Sequence, residues 1–366
     1  MKGNIAARTG PDHSRAPWRC IDKRMKGNVA AGAGRRGGCV LRRAALLLLL
    51  LLLPLLAGRG ARAADSAGLP SFVLLEPGLE LAQSVVQSGP DGREALFVIL
   101  RIDPALHDFV LCMASEEGRS LSLPDWSIRR DLRAGINASM YLPDGVTSTG
   151  YMRSGVSVNN GNAGPRLGAF FAAGPKIRGL PGACILERDA PGMPEILEDY
   201  AVVVQNFRFM DRAGNALWPG GGRAAGMTVV AEDDAGRILF VLCRDSLTAE
   251  RFAVALKDFS LSLRTVMYTE GGAQAGLLLR FDKGGEEMGG IVGASPFPVP
   301  DGVVHVWKGR SALLNADGDP QGALPNVLGI QRRSRNGGGG RNGGQTVVVR
   351  MRPPVISGTM IGSHAK

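Results

Sequence analysis

Residues 226–243 read GMTVVAEDDAGRILFVLC. Two apolar runs flank Asp233-Asp234-Ala235-Gly236, a turn signal between strand-like segments. This is the strongest hairpin pattern in the chain. The same grammar recurs outward from it. Residues 72–88 and 94–104 hold FVLLEPGLELAQSVVQS and EALFVILRIDP, apolar runs bounded by Pro-Gly and Gly-Pro-Asp-Gly. They read as strands joined by turns. Residues 133–140, 168–171, 183–187 and 199–210 read as further strands, the last closing on a turn at 211–215. A strand beginning at 266–268 runs into Glu270-Gly271-Gly272, and 303–307 form a late strand.

Helix signals are fewer. Pro124 starts a short helix over 124–130. Thr248 is a good N-cap for a helix reaching Phe259, with Glu250 in its first turn. Residues 144–166 read as loop. Many short strands with few helices predict an α+β fold: mixed, largely antiparallel sheets with a few packed helices in a single domain. With 52 glycines among 366 residues, a long helical bundle is disfavoured.

The formal net charge of +10 suggests a nucleic-acid or anionic-membrane binder, but its distribution argues otherwise. Residues 1–64 carry 13 Lys/Arg and 2 Asp/Glu, and residues 331–366 carry 7 Lys/Arg and no acid. The remaining stretch holds 23 basic and 31 acidic residues, so the expected partners exclude nucleic acid. The N-terminal basicity belongs to a secretory pattern. RRGGCVLRR at 35–43 precedes an apolar run at 44–57, then Ala61-Arg62-Ala63. The run has 14 residues and contains Pro54, short of the roughly 20 that span a bilayer. Export is expected, to periplasm or exterior, after cleavage near Ala63/Ala64. Membrane contact is expected only through this segment if it is retained. Met25 starts a second MKGN and would leave a basic region of ordinary length. Three segments follow: 1–64 as extension and signal, 65–330 as the folded domain, and 331–366 as a Gly/Arg-rich, disordered tail. Cys112, Cys184 and Cys243 fall in the domain, an odd number that allows at most one bridge.

Most standard chemistries are absent from the text. No GxSxG, HExxH, P-loop or CxxC occurs. Only His107 and His305 lie in the domain, which disfavours a histidine-rich zinc site. No cofactor is expected, and a divalent metal is left open. Asn137-Ala138-Ser139 matches a glycosylation sequon, a triplet frequent by chance.

Four clusters remain, in order. Asn137 ends a strand, and Asp144 and Arg153 lie in the loop region beyond it. Gln205-Asn206 place adjacent amides on a strand, and Arg223 stands just before another. Glu270 ends a strand before Gly271 and Gly272, where glycines let backbone N–H groups approach a sugar or anion.

This order resembles the phosphodiester glycosidase family, which groups exported bacterial proteins with an animal N-acetylglucosamine-1-phosphodiester α-N-acetylglucosaminidase. Its pattern has a strand ending in Asn-Gly-Gly, a Gln/Asn strand, an Arg before a strand, a hairpin, a helix, and a strand ending Asp-Gly-Gly. The matching stretch runs from Phe72 to Ile330, with 324–330 resembling the family's last strand. Asn137-Ala138-Ser139 and Glu270-Gly271-Gly272 depart from the pattern.

The resemblance implies hydrolysis of a sugar-1-phosphodiester or related anionic glycan. Glu270 is then the first choice for acid or base and Asp144 the second. Arg153 and Arg223 would hold phosphate, and Asn137, Gln205 and Asn206 would orient sugar hydroxyls. Two other classes stay open: an envelope module that binds glycan without cleaving it, and a structural envelope protein in which the motifs only maintain the fold. Oligomeric state is not legible.

Overall fold

The computed structural model describes residues 69–87, 93–217, 223–282, 291–299, 302–311, 316–317 and 322–333. The leader expected over 1–64 lies outside them, as does the tail beyond Arg333. Among the described residues, strands numbered β1–β20 in chain order form three sheets. Every pairing within them is antiparallel.

The first sheet has the order β1 (Val73–Glu76), β2 (Leu79–Gln87), β3 (Glu94–Ile102), β13 (Ile238–Leu247), β12 (Ala225–Asp233), β14 (Leu263–Gly271), β11 (Arg208–Met210). Short strands β18 (Arg310–Ser311) and β19 (Ala316–Asp317) extend it beside β12. The second runs β7 (Ser157–Asn160), β6 (Met152–Ser154), β10 (Tyr200–Asn206), β8 (Ala169–Pro175), β9 (Ala183–Glu187). The third runs β16 (Ser295–Val299), β17 (Gly302–Lys308), β15 (Gly276–Asp282), β5 (Ala134–Asn137), β20 (Asn326–Arg332), β4 (His107–Met113). The helices are α1 (Ala114–Glu117), α2 (Leu123–Arg130), α3 (Met193–Glu198) and α4 (Ala249–Asp258). The α+β class is therefore the observed one.

Period-2 alternation explains the layering. Val230, Phe240 and Leu242 of the first sheet face inward, with Phe171 and Val204 of the second and Ile136, Leu277 and Leu328 of the third. These side chains share one central core. The opposite faces are each covered by a helix. Phe252 and Leu256 of α4 pack on Val229 and Val241. Trp126 of α2 packs on Leu278 and Val327. Met193 and Leu197 of α3 pack on Phe170 and Val203. Central β12 is buried on both faces, hence its near-continuous apolar run. The Thr248 cap follows the sequence reading, its hydroxyl accepting the Arg251 N–H, and ahead of Pro124 the Ser122 hydroxyl accepts the Asp125 N–H. Cys112, Cys184 and Cys243 sit in three different outer core clusters and form no bridge.

Three expectations change. The strand expected over 199–210 breaks at Phe207, and its halves join different sheets. The 144–166 loop contains a hairpin of its own, β6 and β7. The last strand continues past Ile330 to Arg332, so the ordered domain passes the expected boundary. The ladder with β4 continues through Gln331 and Arg332, which pair with Asp108 and His107, and ion pairs sit beside it. Arg332 Nε donates to the Glu76 carboxylate at 2.9 Å, and Arg333 Nε donates to Asp108 at 2.8 Å.

Phe97 joins α4 to the first sheet, its ring 5.1 Å from both Phe252 and Phe259. Phe97→Ala is expected to destabilise the protein by about 3–5 kcal/mol in urea unfolding, because the site cannot collapse around so rigid an aromatic cluster.

Candidate functional site

All three sheets meet around Glu270, because the chain changes sheet twice beside it. At Phe207 it passes from β10 into β11. Asn206 pivots this change: its side-chain oxygen accepts the Phe207 N–H at 2.8 Å, and its Nδ2 donates to the Thr269 carbonyl at 3.4 Å. The Phe207 carbonyl in turn accepts the Tyr268 N–H at 2.9 Å. At Gly271 the chain leaves β14, makes a single 3-10 turn over Gly272–Gln274, and enters β15 of the third sheet.

A β-bulge precedes Glu270. Thr228 pairs with Glu270 and the next residue, Val229, pairs with Tyr268, which leaves Thr269 as the extra residue. Thr269 donates through Oγ1 to Thr228 Oγ1 at 2.9 Å, and Thr228 donates to the Glu270 carbonyl at 3.2 Å. Bulges of this kind re-aim the adjacent side chain. Gly272 has φ +72°, the left-handed region that glycine adopts without strain. A Cβ on Gly271 would stand 2.5 Å from the Tyr268 hydroxyl.

The crossover is pinned from the third sheet by Asn137. Its Nδ2 donates to the Gln274 carbonyl at 3.0 Å, and its Oδ1 accepts the Gly276 N–H at 2.7 Å. Lys308 Nζ donates to the same Gln274 carbonyl at 3.3 Å. Burial raises the Glu270 carboxyl to about 7, against the opposing pull of the Gly271 N–H, 2.8 Å from Oε1, and of the Lys308 charge. Desolvation also raises the Tyr141 and Tyr268 phenols, and the neighbouring Glu270 charge adds to both.

Of the residues singled out from sequence, Asn137, Asn206, Glu270, Gly271 and Gly272 come together here. Others do not. Gln205 and Asn206 are adjacent, so they point to opposite faces. The Gln205 amide is used up on the outer side, bonding Gly164 in both directions at 2.8 and 3.0 Å, Leu167 O at 2.9 Å and Tyr151 N–H at 3.2 Å. Arg153 pairs with Val203, whose side chain faces α3. Its guanidinium donates to the carbonyls of Leu197 at 2.8 Å and Tyr200 at 3.2 Å, far around the sheet from the expected phosphate role. Asp144 caps its own turn, accepting the N–H groups of Val146 and Thr147 at 2.9 Å each. The Thr147 hydroxyl, with these backbone bonds, holds its carboxyl below the usual range, which does not suit a proton donor. Arg223 is exposed, just before the end of β12 that pairs with Gly271. The sequon asparagine, Asn137, is buried and bonded, so the triplet is no open acceptor.

Sequence reasoning missed Lys308, Tyr141, Tyr268 and Thr228. A lysine at the end of an apolar strand looks like a solvated edge, and nothing local marks it otherwise. Among the described residues no three His, Cys, Asp or Glu side chains are grouped as metal ligands. No helix among them is long and apolar enough to cross a membrane.

No family model matches the chain, and no curated protein matches it. Solved structures show a distant likeness of fold. A hypothetical protein from Synechocystis is 13% identical with TM-score 0.47, over 74% of this chain and 65% of that one. The chain thus spans under two thirds of that protein's length. The zebrafish N-acetylglucosamine-1-phosphodiester α-N-acetylglucosaminidase catalytic domain, auto-inhibited by its pro-peptide, is 12% identical with TM-score 0.48, over 75% and 87%. A Burkholderia pseudomallei protein described as exported is 10% identical with TM-score 0.37, over 66% and 75%. At such scores the likenesses carry no weight for activity.

The raised Glu270 carboxyl has a stability consequence. Between its ordinary 4.5 and about 7 the folded chain keeps a proton that the unfolded chain releases. The associated stability is complete below pH 4.5 and lost as pH rises through about 7. Glu270→Gln should therefore raise Tm by several degrees at pH 8 and leave it unchanged at pH 4. Equal effects at both values would argue against a desolvated carboxyl.

Proposed function

We propose that the chain is an exported hydrolase of phosphodiester glycosidase type, cleaving a sugar-1-phosphodiester or related anionic glycan at this junction. The observation that carries the reading is Glu270, a carboxyl raised to about 7 beside the Lys308 ammonium at the end of a bulged strand. A carboxyl poised near neutral pH is suited to proton transfer.

The chemistry favours the base role. Water attacks the anomeric carbon, the bond from that carbon to the phosphate oxygen breaks, and the phosphomonoester leaves with the electron pair. Such a phosphomonoester has a second pKa of about 6, so it leaves without a proton donor. The entering water does need to lose a proton, and ionised Glu270 accepts it, later releasing it to solvent. Gly271 and Gly272 allow backbone approach to the substrate. Exposed Arg223 meets its negative charge from the same end of the sheet. Asn137 and Asn206 act by fixing the crossover and the pivot on which Glu270 rides, rather than by binding hydroxyls.

One observation favours a second reading. Glycoside hydrolysis usually uses two carboxyl groups, and Asp144, the other candidate, is tied into its own turn. A module of the same fold that binds anionic glycan without cleaving it fits that arrangement.

The test is a screen of cleaved sugar-1-phosphodiesters by mass spectrometry, followed by a pH profile on the best substrate. The base role predicts that kcat/KM falls as pH drops through about 7, where Glu270 gains its proton. Glu270→Gln should lower kcat by about 10²–10⁴-fold with binding retained. Unchanged turnover in that variant removes Glu270 from the mechanism, and binding without any turnover in the wild type selects the second reading.

A further inference from the structure

We infer that the outer side of the second sheet carries a separate binding site, a cavity between α3 and residues 161–164 that takes a free apolar α-amino acid as its zwitterion. It does not rest on the chemistry proposed for Glu270.

Gln205 and Arg153, which the Glu270 junction leaves out, build its walls. Gln205 and Phe170 are register partners, so both face outward. The Gln205 amide holds Gly164 in both directions, at 2.8 and 3.0 Å, and accepts the Tyr151 N–H at 3.2 Å. Arg153 fixes the opposite wall. Its guanidinium donates to the Leu197 carbonyl at 2.8 Å and the Tyr200 carbonyl at 3.2 Å, and stands 3.6 Å from the Glu198 carboxylate. Those bonds hold the end of α3 in place. Gln205 and Arg153 are 0% and 7% exposed, so each is committed to this scaffolding and withdrawn from solvent. Between the walls lies a cavity of about 330 Å³, room for a small molecule.

The lining selects the ligand. Phe170, Met193 and Leu197 form an apolar floor, with the Tyr151 ring beside them. Gly161 and Ala163 keep the loop side open. Arg188 and Glu198 add one cation and one anion. Arg188 also lies 2.9 Å from exposed Asp189, a surface pair that contributes little. A sugar would set hydroxyls against the apolar floor without partners. A fatty or aromatic acid would find Arg188 but also meet the Glu198 charge. An apolar amino acid answers every part of the lining. Its side chain covers the floor, its carboxylate meets Arg188 and its ammonium meets Glu198.

The experiment is calorimetric titration of the full chain with L-phenylalanine and L-leucine. Phenylalaninamide, N-acetylphenylalanine and N-acetylphenylalaninamide serve as comparisons. Both free amino acids should bind, and removing either charged group should weaken binding about 10-fold, the loss of one charge-assisted bond. Arg188→Gln should weaken phenylalanine about 10-fold and leave phenylalaninamide unchanged. Glu198→Gln should do the same to phenylalanine and leave N-acetylphenylalanine unchanged. Gly161→Phe should fill the cavity and abolish binding without lowering Tm, because a Cβ at Gly161 meets only Val158 Cγ1, at 3.8 Å. Glu270→Gln should bind phenylalanine as the wild type does.

Absent binding by the wild type, or binding that survives Gly161→Phe, would overturn the inference. So would equal binding of phenylalanine and N-acetylphenylalaninamide, which would assign the cavity to a residue within a peptide chain. Displacement of phenylalanine by glucose 1-phosphate would overturn it in favour of a sugar site. Should Gly161→Phe fail to fold, Ala163→Trp, at an exposed position of the same loop, carries the comparison.

Discussion

The Asn137 amide is bonded at both ends to the segment that carries the chain from the first sheet into the third, giving to Gln274 and accepting from Gly276. Nearly everything around Glu270 depends on that clamp. A buried amide with both ends satisfied is stable. Removing it would strand a backbone donor and leave a carbonyl one bond poorer, at a cost of about 1–3 kcal/mol for the orphaned group. The clamp fixes where β14 stops and β15 starts. It thereby fixes the Gly272 turn, the carbonyl that receives Lys308, and the height at which Glu270 leaves its strand. Asn206 performs the matching service for the second sheet, holding the Phe207 pivot against Thr269. Two asparagines on different sheets thus set one carboxyl.

Two glutamates show how partners decide the state of a covered carboxyl. Burial would raise both. At Glu76, bonds from His107, Arg332 and Arg133 outweigh burial and hold the carboxyl at about 2. It serves as a fixed anion that ties β1 to β20. At Glu270 a backbone N–H and one ammonium fall short of the burial term, and the carboxyl rises to about 7. The first arrangement adds to stability at neutral pH and the second subtracts from it. A site that gives up stability for a carboxyl of changeable charge is the expected signature of chemistry or regulated binding rather than of architecture.

Much of the fold was legible because its signals are local. The β12–β13 hairpin announced itself through two apolar runs around a four-residue turn, and α4 through the cap at Thr248. The break at Phe207 was not legible, since residues 199–210 read as one strand-like stretch and the switch is made by a side-chain bond to Thr269. Site residues divided along the same line. Glu270 and Asn137 could be found because each ends a strand before small residues. Arg153 and Gln205 misled because inward and outward faces cannot be assigned without knowing which neighbour covers them. Lys308 stayed hidden because its partners, Gln274 and Gly276, are joined to it only by sheet register.

The central claim is that this junction holds a desolvated carboxyl at Glu270. Carbon-13 NMR titration of the side-chain carboxyl resonances in the full chain measures it directly, with the Glu270 signal assigned by its loss in Glu270→Gln. The account predicts a midpoint at about 7 for that resonance. A midpoint at the ordinary 4.5 would contradict it.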